Sequence, residues 1–95
     1  MELQEEVKII KEAVDTFGFK SQVRILQEEC AELIAAASHY ERGREGAYDN
    51  FVEELADVDI MISQMCYALK ADIEDYKEKK LIRLQKRINE YKQQQ

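Results

Sequence analysis

The chain of 95 residues contains no proline, no tryptophan, three glycines, two cysteines and one histidine. With so few breakers little interrupts a helix, and 36% charged residues alongside abundant Glu, Lys, Leu, Ala and Gln complete a helical composition. An all-α fold is the first expectation. Two cysteines do not make a disulfide framework. Cys30 and Cys66 both fall on apolar helical stripes, where a reduced thiol behaves as a small hydrophobe. No run approaches the roughly 18 consecutive apolar residues of a membrane span. Met1-Glu2-Leu3-Gln4-Glu5-Glu6 offers neither a basic leader nor an apolar core. A cytoplasmic protein without membrane attachment is expected. Excess positive charge is also missing: the formal net charge is −6 and the pI about 4.8. That excludes a chain held on nucleic acid or on an anionic membrane by its overall field. Nucleotides are not excluded, because a bound divalent cation inverts the sign of a local site.

The length suits a single domain spanning 1–95. Chains this short bury a modest share of their apolar surface, so a homo-oligomer is expected to complete the core. Leu3, Val7, Ile10 and Val14 recur at helical spacing and give a first helix over about 2–16. Gly18 ends it, and Ser21 is placed to cap a second helix running from Gln22 to Arg42 with Leu26, Cys30, Leu33 and Ala37 as its stripe. Gly43 to Asp49 reads as a loop. Asn50 followed by Glu53 resembles a capping box opening a third helix that carries Phe51, Leu55, Val58, Ile62, Cys66 and Leu69. Asp72-Ile73-Glu74-Asp75 reads as the start of a fourth helix through Tyr91. A continuous third and fourth helix is the alternative, so the expected architecture is a bundle of four helices or of three long ones.

Two acidic clusters carry the chemistry. At about 100° per residue, Glu29 and Glu32 share one flank of the second helix's stripe with Gln22, Ile25 and Ala36, while Glu28 points away. Glu54 and Asp57 repeat that arrangement on the third helix, and Glu53 faces outward. Each pair alone is the commonplace of an acidic solvated face. Two pairs on successive helices, both beside apolar stripes, are harder to dismiss, since four carboxylates brought together without a cation repel one another. Four carboxylates with no histidine or thiolate form a hard oxygen site for Mg²⁺ or Mn²⁺. Such ions share ligands with phosphates, which makes a phosphate-bearing substrate the natural complement. A di-iron bundle would need Glu-x-x-His pairs, and the one histidine, His39, lies outside both clusters. Asp59 falls close to the apolar centre of the third helix, where a carboxylate needs a partner. Lys80, Arg83 and Arg87 form a basic row on the fourth helix; Lys80 or Arg83 could neutralise Asp59, and the rest could face phosphate or simply solvent.

Glu28-Glu29-x-x-Glu32 followed by Glu54-x-x-Asp57 resembles the EExxE…ExxD signature of the MazG-type all-α nucleoside triphosphate pyrophosphohydrolases. The similarity extends from Phe17-Gly18-Phe19-Lys20-Ser21-Gln22 to Lys80-Leu81-Ile82-Arg83-Leu84. The resemblance implies Mg²⁺-dependent hydrolysis between the α and β phosphates of a nucleotide, giving a monophosphate and pyrophosphate, in a homodimer or homotetramer. It implies Glu29, Glu32, Glu54 and Asp57 as metal ligands and Glu28, with Glu29, as catalytic groups acting on water. It places Gln22 near the base or ribose and the basic row, Lys80 and Arg83, at the leaving pyrophosphate. The rival readings are a non-catalytic helical oligomerisation module and a nucleotide sensor without turnover.

Overall fold

The computed structural model describes residues 1–95 and is all-α, as the composition requires. Its four helices are α1 (Leu3–Phe17), α2 (Phe19–Glu41), α3 (Ala47–Leu69) and α4 (Glu74–Gln93). Gly18, at φ 91° and ψ 152°, joins α1 to α2 in a conformation that costs a residue with a side chain dearly. Because that single glycine turns the chain, α2 resumes at Phe19, and Ser21 lies inside its first turn rather than at its cap. The expected capping box is also absent. Gly46 in the left-handed region returns the chain to a helix at Ala47, which leaves Asn50 and Glu53 within α3. The break before α4 is real: Lys70 adopts φ 52°, and the Glu74 amide donates to Asp72 Oδ1 at 3.0 Å. That bond satisfies one of the amides a helix start leaves open.

α2 and α3 form an antiparallel hairpin. Near the connection the rings of Tyr40 and Phe51 stand 5.5 Å apart, and at the far end Gln22 Nε2 donates to Gln64 Oε1. The inward face repeats every seven residues, with Gln22, Glu29 and Ala36 on α2 and Ala47, Glu54 and Met61 on α3. This is the spacing that keeps one helix flank against a neighbour. Gln22, Ala36, Ala47, Met61 and Gln64 are buried, and Glu29 and Glu54 half-buried between them. α1 lies mainly along α3, held by buried Val14, by the Tyr67 hydroxyl donating to Asp15 at 2.9 Å, and by Lys11 over the Tyr67 ring.

The buried face of α3 is rotated from the expected stripe. Leu55 and Ile62 remain exposed, and so does Asp59, whose carboxylate is solvated and lacks any ion pair. The expected neutralisation of Asp59 by Lys80 or Arg83 does not occur within the chain, because α4 packs against none of the other helices. Every residue of α4 is exposed.

The buried Gln22–Gln64 pair gives a first expected result. Gln22→Leu alone leaves the Gln64 amide without its partner and should lower stability by about 1–3 kcal/mol, whereas Gln22→Leu with Gln64→Leu should recover most of that loss. Urea denaturation of the three proteins measures it, and additive losses would show that the bond carries none of the cost.

Candidate metal centre

The middle layer of the α2–α3 hairpin is acidic. Glu29 comes from α2, and Glu54 and Asp57 come from successive turns of α3; one carboxylate oxygen of each lies within 4.8 Å of the others. The heptad position that buries Ala36 and Met61 is the position that turns Glu29 and Glu54 inward, so the local fold itself drives two carboxylates into the interface. Asp57 stands at the solvent rim, and Glu32, one turn beyond Glu29, is exposed beside it. Nearness of Glu32 is felt electrostatically: its charge acts on both Glu29 and Glu54.

The inner carboxylates are uncompensated. Oε2 of Glu29 and Oε2 of Glu54 are both shut off from solvent and accept no hydrogen bond. No cation of the chain answers them, since its one ion pair joins Lys77 to Glu74 on α4. Burial first, and then the charges of Glu32, Asp57 and Glu54, push the Glu29 carboxyl up to about 7 from an ordinary 4.5. Burial, followed by the charges of Glu32 and Asp57, raises Glu54 as well. Buried acceptors without donors are costly, and like charges forced together disfavour ionisation. A divalent cation removes both penalties at once. The donor set is carboxylate oxygen alone, with neither Cys nor His in the cluster, which suits Mg²⁺ or Mn²⁺ and not a soft metal. The residues present therefore fit a hard divalent ion, held by Glu29, Glu54 and Asp57, with Glu32 adjacent.

The other expected site residues lie at varied distances from this cluster. Glu28 is exposed on the outer side of α2, as its helical phase requires. Gln22 is buried two turns before Glu29 with its amide engaged by Gln64. Lys80 and Arg83 are exposed on α4 and are not brought to the acids of their own chain. Apolar periodicity does not single out Gln64, although it stands seven residues after Asp57 on the flank that carries the cluster. Compared with family models, with curated proteins and with solved structures, the chain matches none.

Proposed function

We propose that this protein is a Mg²⁺-dependent nucleotide pyrophosphohydrolase, a cytoplasmic homo-oligomer that hydrolyses a nucleoside triphosphate between its α and β phosphates. The observation that carries this reading is the pair of buried, unpartnered oxygens of Glu29 and Glu54 held together with Asp57. A structural bundle gains nothing from such an arrangement, and a phosphate-binding metal site depends on it. What Mg²⁺ supplies there is neutralisation of charge on the phosphoryl oxygens and a lowered pKa for water. Glu29, Glu54 and Asp57 would hold the ion, and Glu32 completes the negative rim on the solvent side, where a triphosphate can approach. Glu29 is assigned to the attacking water, which adds its oxygen to the α phosphorus as the bond to the bridging oxygen breaks and pyrophosphate leaves; Glu28, exposed on the outer side of α2, does not join the cluster and keeps no part in that step. Gln22, buried with its amide engaged by Gln64, and Lys80 and Arg83, exposed on α4, are not brought to the acids within the chain, and the reading gives them no part in the hydrolysis. The resemblance of the acidic motifs to the MazG-type enzymes supports the same reaction.

Incubation with a panel of ribo- and deoxyribonucleoside triphosphates and Mg²⁺ is expected to release pyrophosphate and monophosphate in equal amounts. Release of inorganic phosphate with a diphosphate would place cleavage at the wrong bond. No turnover on any nucleotide would leave the site a metal-binding or sensing device and refute the enzyme.

A further inference from the structure

α4 is a helix without a home. Leu81, Leu84, Ile88 and Tyr91 recur along one side of it, yet all are exposed, between 38% and 64%, and α4 packs on no helix of its own chain. An apolar stripe of that length on a freestanding helix is not stable by itself in water, since isolated helices draw their stability from a packed face. The body formed by α1, α2 and α3 shows the reciprocal defect. Val52, Leu55 and Ile62 stand on one side of α3, each more than 40% exposed, and Ile34 of α2 is 72% exposed. By helical phase Ile34 lies on the same side of the antiparallel hairpin, opposite the side that carries Glu32 and Asp57.

Two further observations say what covers these surfaces. The chain exposes 8143 Å², against the roughly 5,700 Å² expected of a compact protein of its 11.2 kDa mass. The excess, about 2,400 Å², is well above the roughly 800 Å² each partner contributes to a standard interface. The second observation is charge. α4 carries seven Lys or Arg against four Asp or Glu, a net +3, so within the chain's total of −6 the remainder holds −9. A basic arm with an apolar stripe is thus complementary to the body of the chain that bears it, and the break at Lys70–Ile73 carries that arm away from its own body.

We infer that α4 is an exchange arm: the α4 of each protomer seats its Leu81, Leu84 and Ile88 stripe on the Val52, Leu55 and Ile62 face of a second copy. The contact is reciprocal, so one two-fold axis closes it and both bodies are covered. Asp59, at the edge of that face where α3 borders α1 and shares a groove with Glu6 and Lys11, then meets the basic row of the partner's arm, the pairing that a single chain does not make. The inference rests on the homo-oligomer proposed above and is independent of the metal and of nucleotide.

Light scattering coupled to gel filtration, on the full chain in EDTA at tens of micromolar, tests it. Wild type is expected at twice the 11.2 kDa of the chain or a multiple of that. Leu84→Asp with Ile88→Asp should give the monomer, and so should Leu55→Asp with Ile62→Asp, each weakening association by at least about 100-fold. The α4 positions support no packing within their own chain, so the body should retain its helicity by circular dichroism. Arg83→Glu with Arg87→Glu tests the charge match without altering the stripe, and should weaken the assembly most at low salt. A monomeric wild type at 100 μM overturns the oligomer together with the arm. An assembly that survives the α4 substitutions overturns the arm alone. One that survives only the α3 substitutions shows arm meeting arm, and overturns the docking face.

Discussion

Glu54→Gln and Asp57→Asn should each reduce pyrophosphate release by at least about 100-fold while leaving helicity and assembly unchanged. Loss of a group that merely supports a metal ligand already costs 10–100-fold, and these two residues are proposed as ligands themselves. Both substitutions keep the shape of the side chain and remove half of its oxygen donors together with its charge. The cost to the fold runs the other way. Glu54 has a buried oxygen without a hydrogen-bond donor, and burial with the charges of Glu32 and Asp57 outweighs its contact with Glu29, so a carboxamide in its place relieves more repulsion than it loses in attraction. A loss of activity without a loss of stability is the signature of a functional acid. Full activity in both variants would remove Glu54 and Asp57 from the ligand set, and Glu29 with them, because nothing else holds the cluster together. Glu53→Gln serves as the control: Glu53 is exposed on α3, next in sequence to Glu54, and its loss should leave turnover within about twofold, as for surface positions generally.

The elements and the nearness of Glu29, Glu54 and Asp57 were legible in the sequence for one reason, that helical phase is a local property; Glu32, expected in the same set, stands exposed outside the converging group. Glu29 faces inward and Glu28 outward because they differ by 100°, whatever the rest of the fold does. The same arithmetic separated Glu54 from Glu53. Sequence and structure part in two places, where the outcome depends on more than phase. At Ser21 and Asn50 the side chains suggested caps, but Gly18 and Gly46 had already set the backbone, and a glycine with positive φ starts the next helix without help. At Asp59 and Leu55 the apolar stripe suggests a core, although a stripe only says that a face wants covering. Which neighbour covers it is a tertiary matter, and the heptad through Ala47, Glu54 and Met61, not the more apolar one through Leu55 and Ile62, meets α2. The most hydrophobic side of α3 was left outward. That outcome is intelligible once a second copy is counted among the neighbours.

The metal-free protein should lose stability as pH rises, and Mg²⁺ should restore it. Glu29 binds its proton up to about pH 7 in the folded chain, against an ordinary 4.5 when unfolded. Between those values the folded state holds more protons than the unfolded one, so the linkage slope is negative: stability falls from about pH 4.5 to 7 and levels off above. Glu54, shifted in the same direction, adds to the trend. In EDTA the melting temperature should therefore drop on going from pH 5 to pH 8, by roughly 5 °C for a domain of this size once the shift is discounted for the solvent that reaches a half-buried group. Glu29→Gln should flatten that slope and melt above wild type at pH 8, because it removes the charge and offers Glu54 an amide donor. With Mg²⁺ at about 100 times its dissociation constant, wild type should gain about 2.7 kcal/mol at pH 8, or about 10 °C or more. The gain should shrink at pH 5, where the ion must displace the proton from Glu29. In Glu29→Gln it should be small at both. Differential scanning calorimetry of the two proteins, with and without the ion at each pH, reads all of these shifts. Equal responses of wild type and Glu29→Gln to Mg²⁺ would mean that the ion binds elsewhere. A pH profile unchanged by Glu29→Gln would mean that the crowded carboxylates are not what the fold gives up stability to keep.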